Sequence, residues 1–403
     1  MGFEKEKQLD ADYIMNTYAR KSVDLVSGRG MCVCDDAGKE YLDFISGVGV
    51  DSLGHCHPEV VKALTAQADR LIHVSNYYYI EGRGELAKTV SDLLNTGISE
   101  LDSKPWKSFF TNSGAESNEC AIKLARLWSK RFGHGGIQIV TLDNSFHGRT
   151  LATLAATAQP AKQEAFRPLP EGFLHTPIND IAALEALFAE HQGEICAVLL
   201  EPVQGESGVH PCTLEFMEAV DRLTRESDAL FICDEVQTGI YRCGAYPFAF
   251  QHFGITPDIV TIAKGIASGF PMGICAARDL VALAFEPGDH GSTFGGSCLA
   301  VAAARATLAT IEAENLPSQI VEVGMYLREG LGEIEGVVSV RGLGLMCACD
   351  LAGDIDAAQV VARGLSVGLL LNYTGAHTLR FLPPLICTKA EIDALLAKLG
   401  GLF

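Results

Sequence analysis

Between about residue 65 and residue 290 the chain alternates short apolar runs with stretches whose apolar residues recur at helical spacing. The runs Lys107–Thr111, Ile137–Leu142, Ala197–Glu201, Leu230–Asp234, Ile259–Ala263 and Ile274–Ala277 predict strands. Strands separated by helices are the signature of an α/β domain around a mostly parallel sheet. Beyond about residue 295 the pattern turns helical over Ala300–Ala313, then predicts strands near Val337–Val340, Met346–Asp350 and Thr378–Phe381. Ahead of the α/β region, Gly30–Cys34 and Glu40–Phe44 flank the turn Asp35-Asp36-Ala37-Gly38-Lys39, which predicts a hairpin. The expected organisation is a large α/β domain over 65–292 and a smaller α+β domain built from both chain ends, 1–64 and 293–403.

Composition narrows the classes. With 403 residues, 48% hydrophobic and 20% charged, the chain is an ordinary globular one with room for two domains. Lys and Arg number 31 against 50 Asp and Glu, a net charge of −19 that argues against a nucleic-acid or anionic-membrane surface. A local basic pocket for an anionic metabolite remains compatible with it. The start Met1-Gly2-Phe3-Glu4-Lys5 has no apolar core, so no secretory leader is expected and the reading is cytoplasmic. Ile259 to Ala277, the longest weakly polar stretch, is broken by Lys264, glycines and Pro271 and makes a poor membrane span. The 13 scattered cysteines form no Cys-x-x-Cys pair, as expected of reduced thiols. Cys32/Cys34 and Cys347/Cys349 have the spacing of small apolar residues on one strand face. His55-Cys56-His57 invites a metal, but no second ligand cluster follows and Pro58 suits the first turn of a helix, so no metal is expected.

The most informative residue is Lys264, where an apolar run ends in a lysine and then a glycine. A lysine so placed is partly desolvated, which lowers its pKa and leaves a nucleophilic amine. The run Ala229–Cys233 ends in the same way on Asp234-Glu235. A lysine amine and a buried aspartate at neighbouring strand ends are what pyridoxal phosphate requires, one for the Schiff base and one to keep the pyridine nitrogen protonated.

Other polar elements fall at strand ends, where open α/β sheets collect ligands, and each has two readings. Asn112-Ser113-Gly114-Ala115-Glu116 opens a helix, so Ser113 is either a plain N-cap or part of a phosphate cradle. In Phe146-His147-Gly148-Arg149-Thr150, the ring can stack on a flat cofactor and the arginine can take a carboxylate, or both can be ordinary packing and surface. Glu201 closes a strand before Pro202 and a loop. Gln237 can donate to a phenolic oxygen, and Gly291-Ser292-Thr293-Phe294-Gly295-Gly296 is a donor-rich turn. Arg380, flanked by apolar residues, needs a partner for its charge.

From about Tyr13 to Leu399 the chain resembles the class III (ω-amino acid) aminotransferases of the pyridoxal-phosphate-dependent fold type I enzymes. The resemblance rests on Gly54-His55-Cys56-His57-Pro58, Asn112–Glu116, Phe146–Thr150, Glu201-Pro202-Val203-Gln204-Gly205-Glu206, Asp234-Glu235-Val236-Gln237-Thr238-Gly239, Ala263-Lys264-Gly265, Gly291–Gly296 and Arg380-Phe381. Ile14-Met15-Asn16-Thr17-Tyr18 and His147 are similar to the branch that acts on N-acetylornithine, whereas the ornithine branch usually has tryptophan in place of His147. The resemblance implies that Lys264 forms the Schiff base and shuttles a proton, with Asp234 on the ring nitrogen and Gln237 on the ring hydroxyl. It places Glu235 and Val236 at the cofactor, Phe146 over its ring, and Ser113, Gly114 and Ala115 at its phosphate. Thr293 is implied to reach the phosphate in a neighbouring subunit, with Ser292 beside substrate, hence a homodimer. Arg149 is implied to take the donor's α-carboxylate, and Glu201 to mask Arg380 until a dicarboxylate, glutamate or 2-oxoglutarate, arrives.

The implied reaction moves the terminal amine of N2-acetylornithine to 2-oxoglutarate, giving N-acetylglutamate 5-semialdehyde and glutamate in arginine biosynthesis. Two departures stand out. Ser297-Cys298 replaces the class's Asn-Pro near the phosphate site, and Glu81-Gly82-Arg83 replaces a common Glu-Pro on the substrate side. Succinylornithine, ornithine or 4-aminobutyrate are alternative donors; a non-enzymatic, metal-binding scaffold using His55 and His57 is the reading from a different class.

Overall fold

The computed structural model describes residues 2–99 and 103–403. Its central sheet has seven strands in the spatial order Trp106–Thr111, Gly273–Arg278, Ile259–Ile262, Leu230–Asp234, Ile195–Leu200, Gln138–Leu142, Phe173–Thr176. The pairings from Ile259–Ile262 outward to Phe173–Thr176 are all parallel. Gly273–Arg278 runs antiparallel to both of its neighbours. The six expected strands are all present within a residue or two. Phe173–Thr176 was not expected: it is a four-residue edge strand, largely half-buried or exposed, and carries no continuous apolar run.

The inner strands are apolar at consecutive positions because both faces are covered. On one face Ile139, Ala197, Leu199, Ile232 and Ile259 pack against Cys120, Ala121 and Leu124 of the helix Gly114–Arg131. On the other, Val140, Val198, Leu200 and Phe231 meet Phe216, Met217, Val220 and Leu223 of the helix Leu214–Glu226. The period-two alternation along each strand thus feeds two layers, and each fully buried Leu, Ile or Phe contributes about 1.5–3 kcal/mol.

The two chain ends meet. The hairpin strands Cys32–Asp35 and Glu40–Asp43 pair antiparallel, and Glu40–Asp43 takes Leu369–Leu370 as a parallel neighbour. A separate antiparallel sheet runs Val337–Leu343, Met346–Leu351, Thr378–Phe381, Asn372–Gly375. One continuous core joins Val260, Ile262 and Ile274 of the large sheet to Leu308, Leu379, Phe381 and Leu395. Cys347 and Cys349 are buried as expected, Cys32 and Cys34 half-buried, and all the cysteines are free thiols. Pro58 opens the helix Pro58–Ala68. His55 meets Asp43 at 2.8 Å and His57 faces Glu314 at 3.7 Å, so the two rings serve different partners. Among the described residues, no helix is long and apolar enough to cross a membrane.

Candidate active site

The carboxyl ends of the parallel strands converge on a cavity of about 390 Å³ lined by Ala115, Phe146, Arg149, Asp234, Gln237 and Lys264, among others. Asp234 ends its strand, Lys264 lies two residues past the end of the next, and Phe146–Arg149 follow Gln138–Leu142.

Asp234 is 2% exposed and held by donors on both oxygens. Its Oδ2 accepts from Asn118 Nδ2 at 2.7 Å and faces His147 Nδ1 at 2.7 Å, while Oδ1 accepts from the Val236 N–H at 3.0 Å. Asn118 also donates to the His147 carbonyl at 2.8 Å and accepts from Thr261 Oγ1 at 2.7 Å. Both polar atoms of the Asn118 amide are therefore engaged, which fixes the orientation in which it donates to the aspartate. Sequence reasoning missed Asn118 and read His147 only as a branch marker. A readable signal existed for Asn118, an amide among helix residues whose buried members are otherwise serine or apolar, Cys120, Ala121 and Ile122 among them.

Lys264 has φ 45°, in the left-handed region that a residue with a Cβ seldom occupies. The backbone bends sharply there, turning the strand Ile259–Ile262 into the short turn Lys264–Ala267 and aiming the amine into the cavity. Burial lowers its pKa; Glu206 opposes that and Arg380 adds to it.

At the other end of the cavity Ser113 caps the helix Gly114–Arg131, accepting from the Glu116 N–H at 3.2 Å. The cap leaves the first-turn N–H groups of Gly114 and Ala115 without intrahelical partners, pointing along the positive end of an 18-residue helix. A Cβ at Gly114 would stand 2.5 Å from Val236 Cγ1, so only glycine lets the turn pack on the residue beside Asp234. The N-cap reading of Ser113 is thus observed, and the N–H groups left free beside it are compatible with a phosphate cradle.

Arg380 is 2% exposed, and its Nη1 donates to Glu206 at 2.6 Å, the Gly205 carbonyl at 3.0 Å and Gln237 Oε1 at 3.2 Å. Gln237 Nε2 in turn donates to Glu206 at 3.1 Å. The expected mask, Glu201, is not the partner. Its two oxygens accept the N–H groups of Phe146 at 3.0 Å and Gly205 at 3.3 Å. The cause is the reversal at Val203–Gln204, paired with His210–Pro211, which carries Glu206 across to Arg380 and leaves Glu201 beneath the Phe146 loop. Burial pushes the Glu201 carboxyl up to about 7. Burial also pushes Glu206 up, but the Arg380 and Lys264 charges and the bonds from Arg380 and Gln237 outweigh it, leaving about 2.

Glu235, expected at the cofactor, also needs correction. Its side chain points away from the cavity, accepting from Thr238 and from the Phe250 N–H at 2.8 Å in the core. Alternation along the chain sends Asp234 and Glu235 to opposite sides.

Ser292 and Thr293 line a different cavity, about 870 Å³, with Asn76, Tyr77, Tyr79 and His290. Ser292 Oγ touches Asn112 at 3.4 Å, but this loop does not reach Lys264 within one chain. Tyr77, Tyr78, Tyr79 and Phe294 around it are exposed. The two sequence departures are accommodated. Ser297 caps the helix Cys298–Ala313 by accepting from Ala300, and Gly82 takes φ 76° at the start of Arg83–Leu94. Glu81 pairs with Arg70 at 2.7 Å.

The donor set fits pyridoxal phosphate. Lys264 offers an amine for its aldehyde, Asp234 a fixed carboxylate for its ring nitrogen, and Gly114 and Ala115 free N–H groups for its phosphate. The aminotransferase class-III family matches residues 13–402. The acetylornithine aminotransferase of Caldanaerobacter subterraneus is 46% identical over 389 residues, covering 95% of each chain. That of Methanothermobacter thermautotrophicus is 45% identical, covering 99% of this chain and 98% of its own. Among solved structures, the ornithine aminotransferase of Toxoplasma gondii superposes with TM-score 0.91 at 30% identity over 100% of this chain and 94% of its own. The acetylornithine aminotransferase of Elizabethkingia anophelis gives TM-score 0.85 at 30% identity over 100% and 99%. The family match over residues 13–402 and the identity of these relatives show that the chain belongs to the class III aminotransferases, pyridoxal-phosphate-dependent enzymes.

Proposed function

We infer that the protein moves the terminal amine of N2-acetylornithine to 2-oxoglutarate, giving N-acetylglutamate 5-semialdehyde and glutamate, as a step of arginine biosynthesis. The observation that carries this reading is the unequal state of two arginines, Arg149 lining the cavity and Arg380 buried behind its lining residue Gln237. Arg149 is exposed and makes no ion pair among the described residues, whereas Arg380 is closed onto Glu206 at 2.6 Å. A donor with one carboxylate needs only Arg149. A five-carbon dicarboxylate needs a second cation, which rotation of Glu206 would release. Acetylornithine aminotransferases as relatives at 45–46% identity support the same donor.

In this reading Lys264 holds the cofactor and moves the proton at the reacting carbon, and Asp234 keeps the ring nitrogen protonated. When bound, the cofactor supplies an electron-withdrawing ring for the carbanion left by that proton. Phe146 would cover the ring face against water, Val236 would pack beside it, and Gln237 would offer the ring hydroxyl the N–H that Glu206 leaves spare. Ser113, Gly114 and Ala115 hold the phosphate. Thr293 and Ser292 complete the site of a second copy, so the working form is a homodimer with the exposed Tyr77–Tyr79 and Phe294 at its interface. Thirteen free thiols suit a reducing, cytoplasmic setting.

The test is the visible spectrum of the purified holoenzyme before and after N-acetylornithine without a keto acid. Loss of the long-wavelength cofactor band supports the donor. A band that ignores N-acetylornithine but is bleached by ornithine, succinylornithine or 4-aminobutyrate keeps the chemistry and replaces the substrate. No band with added pyridoxal phosphate overturns the enzyme reading. Sedimentation giving a monomer at micromolar concentration would contradict the dimer.

A further inference from the structure

We propose that Lys162 is a second carboxylate-binding cation of the active site, acting beside Arg149 on the α-carboxylate of the amine donor; this rests on the aminotransferase reading above. Lys162 Nζ lies 5.1 Å from the centroid of the Phe146 ring, and Arg149 Cζ lies 5.4 Å from the same centroid. Two cations thus converge on one aromatic residue of the cavity. Among the described residues, neither has a carboxylate within ion-pair distance or a hydrogen-bond acceptor. The nearby acids are already engaged, Glu206 with Arg380 and Gln237, and Glu201 with two backbone N–H groups.

Two cations over one ring repel each other, and no acid among the described residues pairs with either to offset it. Lys162 is also half-buried, and burial followed by the Arg149 charge lowers its pKa. Its position is fixed by neighbours rather than by a partner of its own. Gln163 Nε2 donates to the carbonyls of Leu154 at 3.1 Å, Ala155 at 3.3 Å and Thr157 at 2.7 Å. Gln159 Nε2 ties the start of the same turn to the Ser145 carbonyl at 2.8 Å, next to Phe146. The turn that carries Lys162 is therefore anchored against the Phe146 loop, while its ammonium rests on the Phe146 ring without an acceptor of its own among the described residues. A bound carboxylate bridging Arg149 and Lys162 removes the repulsion between them and supplies both with an acceptor. The competing account, a lysine stem resting on Phe146 for packing alone, predicts no dependence on the donor's charge.

The discriminating pair of donors is N-acetylornithine and N-acetylputrescine, which differ only in the carboxylate. In the holoenzyme, Lys162→Met should raise the half-saturating concentration for N-acetylornithine about tenfold, the lower end for one charge-assisted contact at a half-buried site. The limiting rate should hold, N-acetylputrescine should respond within about twofold, and Lys162→Arg should restore most of the loss. Equal effects on both donors, or none on either, overturn the proposal. If wild type responds to neither donor, the donor assignment has failed, and ornithine against putrescine decides Lys162 in the same way. If no amine reacts, calorimetric affinity for glutarate reads the same cations, and an unchanged value in Lys162→Met overturns the proposal.

Discussion

Replacing Glu206 by glutamine removes the charge facing Arg380 and keeps the shape. The Glu206 carboxyl is held at about 2 against an ordinary 4.5, because the Arg380 and Lys264 charges and two hydrogen bonds outweigh the cost of burial. That gap corresponds to about 3 kcal/mol of folded-state stabilisation at neutral pH. The carboxylate side chain is still 26% exposed, and Arg380 keeps Gly205 and Gln237 as acceptors, so the expected loss is about 2 kcal/mol. The sign with pH is fixed. A carboxyl with a depressed folded-state pKa contributes fully above the unfolded value and loses its contribution as pH falls towards 2, so the gap between variant and wild type must begin to narrow below about pH 4.5 and close only near pH 2. Urea midpoints at pH 7 and pH 3.5, with unchanged slopes, measure this on the cofactor-free protein. The same substitution frees Arg380 for dicarboxylates throughout the cycle, so KM for 2-oxoglutarate should fall and glutamate should compete better with the amine donor. An unchanged midpoint at pH 7 would refute the argument. So would an equal loss when Glu206→Gln is made in an Arg380→Met background, since the two would then not be coupled.

Burial pushes Glu235 up to about 7, so its carboxyl stays protonated in the folded chain after the unfolded chain has released its proton. The Glu235 contribution to stability should fall by about 3 kcal/mol as pH rises from about 4.5 to 7 and stay level above, and Glu235→Gln should remove that part of the slope in urea midpoints at pH 5 and 8. Asn118→Ala removes buried bonds to Asp234, the His147 carbonyl and Thr261, with an expected cost of about 2–4 kcal/mol and weaker cofactor binding. Wild-type melting and cofactor affinity in that variant would contradict the anchoring role. Gly295→Ala sets a Cβ 2.0 Å from the Phe110 backbone oxygen, which cannot swing aside, and should cost about 1–3 kcal/mol. Gly84→Ala meets nothing within 4 Å in a helix and should instead stabilise by about 0.4–1 kcal/mol, a control read in the same melts.

The central sheet was legible because strands buried on both faces leave unbroken apolar runs, and the two polar residues at their ends, Asp234 and Lys264, stood out against that background. The edge strand Phe173–Thr176 had no such run and was missed. The choice between Glu201 and Glu206 was not legible, because both belong to one motif and only the chain reversal between them decides which reaches Arg380. Glu235 was misplaced for a related reason, as a neighbour of Asp234 in sequence faces the other side in space. Lys162 carried no sequence signal at all. A lysine in a four-residue turn reads as solvent-exposed until the turn is found packed against the Phe146 loop.

The charges of the cavity show why a net of −19 is a poor guide to what it binds. Arg149 and Lys264 line it, Arg380 lies buried behind Gln237, and Lys162 stands over the Phe146 ring. Asp234 is committed to Asn118, His147 and Val236, Glu206 to Arg380, and Glu201 is pushed up to about 7 by burial and stands part-protonated near neutrality. What the cavity offers an incoming ligand is therefore cationic, although the protein's surface as a whole repels anions. Raising pH through 7 ionises Glu201 under the Phe146 loop, adding a negative charge behind Arg149 and Lys162. Affinity for a carboxylate donor should then weaken from pH 6 to pH 8, while a donor without a carboxylate should not share that trend. Glu201→Gln should remove the difference between the two donors, and a pH profile that is the same in wild type and Glu201→Gln would show that Glu201 does not govern the field felt by the substrate.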